Sequence, residues 1–356
     1  MKGMPLRCLL PGDQSIHAFD LRAQEWAELR SENRRTHHLR MPCCAARVVM
    51  KVSPRGQQFF AHQPRGICIT APETEEHLFL KGLAVEAARK AGWTASTEVR
   101  GSSPTGEEWT ADVLATKGNH RVAVEIQWSR QTAQETMRRQ QRYRQSGVRS
   151  LWLIRKLGFP ISKDLPAVFV GGDKQRGFEA RIPNGTRQNK RDLDDPKNWR
   201  QRVPMASFLQ AAFERRFRYG IETEMPAIVT VQSRKLWCRE CRAATWVVTS
   251  IEITVGPYSS QRTLLDLPDQ VVMEVVQKLP LDEPVGTIKS RFIRPLGRPR
   301  LSNGCYNCDA LIDDFFESQA WCSEPKTLAI FPVQLSNGWQ DVIGSRDGWG
   351  VHPTGP

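Results

Sequence analysis

The sequence predicts an α/β fold whose core runs helix, three strands, helix, strand, with a Cys/His module before it and a β-rich, cysteine-bearing region after it. Three observations carry that expectation. Helical and strand-like periodicities alternate in that order over residues 74–154. A Gly118-Asn119 pair separates two strand-like runs, as in a tight hairpin. Two Cys-x-x-Cys pairs, Cys238/Cys241 and Cys305/Cys308, lie in β-like surroundings.

The elements follow in order. Residues 19–34 read as a helix, and 46–52 and 58–61 as short strands about the Pro54–Gly56 turn. Thr74 caps a helix with Glu75 and Glu76 in its first turn, ending at Gly92. Its apolar positions (Leu80, Leu83, Ala84, Ala87, Ala88 and Ala91) keep a helical period. Strands are expected at 93–99, 108–115 and 121–128, then a helix from Thr132 to Ser146 closed by Gly147, then a strand at 148–154. One further strand is expected within 158–172. Residues 174–203 read as a polar, basic loop, and a helix follows at 205–218. Strands at 226–236 and 245–254 open a second domain after about residue 220. The expected division is a Cys/His module at 1–70, the α/β core at 71–172, a basic linker and helix at 173–220, and a cysteine-bearing domain at 221–356.

Lys and Arg number 51 against 38 acids, a net charge of +13, which points to an anionic partner, most often nucleic acid. No apolar run approaches the roughly 18 residues of a membrane span. The opening MKGMPLRCLLPG lacks the apolar core of a secretory signal, so a cytoplasmic location is expected. Nine cysteines in such a chain favour metal binding over a disulfide framework.

The run VAVEIQW at 122–128 places Glu125 and Gln127 on one side of an apolar strand. With Gly118-Asn119 as the loop, Asp112 faces Glu125 and Thr110 faces Gln127. Facing carboxylates repel unless something positive lies between them. A Mg²⁺ or Mn²⁺ ion bound by hard oxygen ligands is the simplest resolution, and a solvated strand face is the alternative.

The stretches TADVLA and VAVEIQWS resemble the Asp and Glu-x-Lys half-motifs of the restriction-endonuclease-like superfamily, whose core has this element order. They resemble more closely the CoiA-like competence proteins, in which Gln replaces that Lys. FFAH at 59–62, PETEEHLFLK at 72–81 and Arg139-x-x-x-Tyr143 add to the resemblance, which covers about residues 40–155. It implies a nuclease domain acting on incoming DNA, with Asp112, Glu125 and the Ile126 carbonyl as metal ligands. Hydrolysis would proceed by activation of a metal-bound water. Gln127 departs from the pattern, because an amide brings no charge to the phosphorane.

His77 and Lys81 share one face of the first helix and can supply a cation, with Glu76 an acid beside the site or simply a solvated first-turn residue. In the second helix, Arg138, Arg139, Arg142 and Tyr143 are candidates for phosphate binding and base stacking, with a plain solvated basic helix as the alternative. Cys238, Cys241, Cys305 and Cys308 are expected to form a structural zinc ribbon, although the interval 242–304 is long for one. Cys43, Cys44, His62 and Cys68 form a second candidate zinc set, with a core role for His62 as the alternative. Cys8 and Cys322 read as ordinary buried cysteines.

The expectation is therefore a metal-dependent, DNA-acting nuclease with Mg²⁺ or Mn²⁺ at its site and structural Zn²⁺ elsewhere. Its substrates would be single strands or recombination intermediates. The rival is a non-cleaving DNA-binding adaptor that recruits recombination proteins, and RNA is a third possible target.

Overall fold

The computed structural model describes residues 5–54, 56–63, 73–128, 131–156, 161–184, 195–222, 224–264, 267–293, 297–312, 322–336, 338–343 and 347–354. The chain divides into two compact units, Met1–Arg218 and Tyr219–Pro356.

In the first unit, β1 (Arg7–Leu9) pairs with β2 (Ser15–His17), and helix α1 (Ala23–Thr36) leads to the hairpin of β3 (Arg47–Val52) and β4 (Gln58–Gln63). Leu6, Cys8, Trp26, Leu39, Met50 and Phe60 form one apolar cluster with Leu78. Leu78 belongs to α2 (Glu75–Lys90), so the N-terminal module and the α/β core share packing. Burying each such large side chain contributes roughly 1.5–3 kcal/mol.

After α2 come β5 (Thr94–Ser102), β6 (Glu108–Lys117), β7 (His120–Gln127), α3 (Ala133–Gln145) and β8 (Arg149–Ile154). Thr74 and Thr132 cap the two helices through their side chains, as their sequence positions predict. Gly118 sits at φ 56°, and the hairpin closes with Lys117 opposite His120 and Val113 opposite Val124. That is the expected register.

The sheet is mixed: β5, β6 and β7 are antiparallel neighbours, while β7 to β8 and β8 to β9 (Ala167–Asp173) run parallel. The polar stretch read as a loop carries two further strands, β10 (Gly177–Pro183) and β11 (Trp199–Pro204). They extend the sheet to seven strands, in the order β11-β10-β9-β8-β7-β6-β5. Charged side chains hid them: Arg181 and Arg202 both bond Glu179, so a strand lined with charge satisfies itself across the pair. Helix α4 (Met205–Phe213) stops short of the expected end, because the chain turns at Glu214 and Arg215, the latter at φ 63°.

A short strand, β12 (Phe217–Tyr219), spans the division between the units. The second unit contains β13 (Pro226–Trp237), β14 (Ala244–Val255), β15 (Tyr258–Arg262) and α5 (Asp269–Gln277). It continues with β16 (Thr287–Ile293), β17 (Arg298–Gly304), β18 (Leu311–Ile312) and β19 (Lys326–Gln334). One sheet is ordered β15-β14-β13-β19, and a second β16-β17-β18. Val229, Val231, Ile251 and Ile253 pack with Val271 and Val275 of α5 in its main core. Among the described residues, no helix is long and apolar enough to cross a membrane.

Candidate active site

Strand alternation carries Asp112 and Glu125 to the sheet site from β6 and β7. The Ile126 N–H donates to Asp112 Oδ2 at 2.9 Å, tying the two strands together through the acid itself. Both faces of β7 are covered: Val124 and Ile126 are buried on one side, and Glu125 and Gln127 on the other, with Glu125 2% exposed. A solvated strand face is thereby excluded.

The repulsion expected between the acids is met by side-chain cations. Lys81 of α2 is wholly buried, with Nζ 3.3 Å from Asp112 Oδ1, 2.6 Å from Glu73 and 3.4 Å from Glu98. A buried ammonium is costly unless paired, and here three carboxylates surround it. Burial disfavours its charge, but Asp112, Glu98 and Glu73 outweigh that and raise its pKa. Lys81, expected as a DNA contact, is therefore sequestered inside the protein. Glu125 is held by Arg139 through Oε2 and by the Tyr143 hydroxyl, which donates to Oε1. Tyr143, expected as a stacking surface, is buried at 1% exposure with its ring against Trp109. Gly101 makes room for this: a Cβ there would meet the Trp109 ring at 2.2 Å.

These environments separate the two acids. Burial opposes ionisation of Asp112, yet Lys81, His77 and the Ile126 N–H overcome it and hold the carboxyl below its usual range. Burial and the Asp112 charge push Glu125 up to about 7, against the pull of Arg139 and Tyr143. Burial also raises Glu98.

His77 Nε2 lies 3.3 Å from Asp112 Oδ1 and 4.0 Å from Glu73 Oε1. Glu73, His77 and Asp112 each offer a ligand atom within 4.8 Å of the others. Sequence reasoning reached His77 and Asp112 but missed Glu73 and Glu98. Glu73 precedes the helix, one turn before His77, and that spacing was the available signal. Glu98 had none, because it reaches the site from β5 at φ 54°, a conformation unusual for a non-glycine residue. Its Oε1 also accepts from the Leu6 N–H at 3.2 Å, so the N-terminal module touches the site. Glu76 instead accepts from Trp128 Nε1 at 3.3 Å.

Arg139 also reaches Gln127 Oε1 at 3.4 Å and stacks on Trp152. Arg142 donates to the Glu108 carbonyl, and Arg138 pairs with Glu107 on the surface. A polar cavity of about 300 Å³ is lined by Glu108, Trp109, Thr110, Arg139, Arg142 and Tyr143, of which Arg139 and Tyr143 also bond Glu125.

Cys238, Cys241, Cys305 and Cys308 converge, as do Cys43, Cys44 and His62, where Cys43 Sγ lies 3.2 Å from His62 Nε2. Cys68 lies outside the described residues. Cys8 is buried as expected, whereas Cys322 is exposed.

Residues 73–160 match the family model of the competence protein CoiA nuclease-like domain. No curated protein matches the chain. No solved structure matches it either.

Proposed function

On the premise that residues 73–160 form a nuclease-like domain of the competence protein CoiA family, we propose that this protein is a metal-dependent nuclease acting on DNA, with a restriction-endonuclease-like core. The observation that carries the reading is the buried Lys81 ammonium 3.3 Å from Asp112. The strand position where related motifs carry Lys is occupied here by Gln127, so the charge comes from α2 instead. Enclosed by Glu73, Glu98 and Asp112, Lys81 does not reach a phosphate itself; it holds Asp112 ionised as a metal ligand.

The site suits a divalent cation. Glu73 Oε2 and Glu98 Oε2 are buried without a hydrogen bond among the described residues, so acceptor capacity remains. Asp112 and Glu125 are the ligands that the motif resemblance implies, and Glu73 and His77 extend the donor set around Asp112. Imidazole mixed with carboxylates favours Mn²⁺ over Mg²⁺. Such an ion, when bound, lowers the pKa of a water and polarises the phosphate. Asp112 stays ionised to hold it, Gln127 orients polar groups, and Arg139 and Arg142, which line the cavity, would bind the phosphate backbone. The process would be the handling of transforming DNA.

A second reading has its own support. Arg139 and Tyr143 already neutralise and bond Glu125, and Gln127 lacks charge. A non-cleaving, DNA-binding adaptor that recruits recombination proteins would keep this arrangement. Cleavage assays on single-stranded and duplex DNA across Mg²⁺ and Mn²⁺, with D112N as control, separate the two. Metal-dependent cutting lost in D112N supports the nuclease; salt-dependent binding without cutting supports the adaptor.

A further inference from the structure

We infer that Cys238, Cys241, Cys305 and Cys308 form a closed tetrathiolate site for one zinc ion, which pins the β13–β14 hairpin to the β17–β18 hairpin. The two Cys-x-x-Cys segments, far apart in sequence, adopt the same backbone. Cys238 N–H donates to the Ala243 carbonyl and Arg242 N–H to the Cys238 carbonyl; Cys305 N–H donates to Ala310 and Asp309 N–H to Cys305. The residue after each second cysteine is left-handed, with Arg242 at φ 60° and Asp309 at φ 56°. Non-glycine residues rarely adopt that conformation, and here it occurs twice at equivalent positions. A knuckle of this shape turns both of its sulfurs toward one point.

The sulfur distances decide what lies at that point. Cys238 Sγ is 3.6 Å from Cys308 Sγ, and Cys241 Sγ is 3.6 Å from Cys305 Sγ. A disulfide needs about 2.05 Å. Four sulfurs placed tetrahedrally about zinc at about 2.3 Å stand about 3.8 Å apart. The close pairs also run between knuckles, as a shared ion requires. Thr245 Oγ1 and the Asn307 N–H both donate to Cys305 Sγ, at 3.5 and 3.4 Å, which favours a thiolate there. Four protein ligands leave no open position, so the site is structural. Among the described residues, Leu236, Val247 and Ile312 form a small apolar cluster beside the knuckles.

The test uses the full chain carrying Cys43→Ser and Cys44→Ser, which removes the N-terminal sulfur ligands. Native mass spectrometry and elemental analysis should find one zinc per chain, and adding Cys238→Ser and Cys305→Ser should abolish it. Because that second variant can misfold, cobalt is also exchanged into the first. Intense thiolate-to-cobalt charge transfer of a four-sulfur site is expected. Absence of metal from the first variant, iron in place of zinc, a disulfide linking the knuckles, or a cobalt spectrum of fewer sulfurs would overturn the inference.

Discussion

Carboxylates crowd together at the sheet site and thiols crowd together between the two knuckles, yet the two clusters are stabilised in different ways. At the sheet site the protein supplies the counter-charge itself. Lys81 lies among Glu73, Glu98 and Asp112, and Arg139 lies on Glu125. At the knuckles, Thr245 and Asn307 bring hydrogen bonds to Cys305 but no net charge. The first cluster is therefore charge-compensated by the protein's own side chains, and under the proposed function an ion there would serve chemistry rather than folding. The second, on the zinc proposal above, is completed by an ion at its centre. Like-charged or acidic ligands placed close together do not by themselves announce a metal; the buried cations nearby decide whether the metal is needed for folding or for function.

The sharpest way to break that contrast is at Asp112. Asp112→Asn should reduce Mn²⁺-dependent cleavage by at least about 100-fold, while DNA binding in a filter or anisotropy assay changes little. Unchanged cleavage would remove Asp112 from the chemistry. Next comes the counter-charge: Lys81→Met leaves Glu73, Glu98 and Asp112 without their shared cation and should cost about 3–5 kcal/mol in urea unfolding. A neutral result would mean that the acids shed their charge, and the comparison with the thiol cluster would fail.

Glu125 offers a finer probe. Its pKa is raised to about 7 in the folded chain, so it binds a proton that an unfolded glutamate, near 4.3, would release. The sign follows: this group favours folding below about pH 4 and loses that contribution as pH rises through 7. If the ionised form supports catalysis, cleavage rises with a midpoint near pH 7, and Arg139→Gln, which removes the opposing cation, moves the midpoint upward. A pH profile flat between 6 and 8 would contradict this. The smallest effect is expected at Thr132, whose hydroxyl accepts from the Glu135 N–H at 3.1 Å. Thr132→Ala should cost about 1 kcal/mol by thermal unfolding, loosening the helix that presents Arg139 and Tyr143.

Local rules made much of this legible. Gly118 at the first loop position defined the hairpin register, because a two-residue loop allows only one set of opposite partners. Thr74 and Thr132 marked the helix starts through hydroxyls that bond the next turn. The same rules failed wherever a residue's partner lies far along the chain. Arg181 and Arg202 looked like loop residues until Glu179 paired them across two strands. Lys81 and Tyr143 looked like surface groups because their types usually are.

The sequence alone determined the order of helices and strands from residue 19 through residue 154, the register of the β6–β7 hairpin, and the pairing of four cysteines into two knuckles. Each depends on spacing within one element or one tight turn. Only the tertiary structure decided that Lys81 is buried, that Glu73 and Glu98 join it, and that the two knuckles meet. Those outcomes depend on which distant segments pack together, and electrostatic cost is set by burial and neighbours rather than by position in the chain.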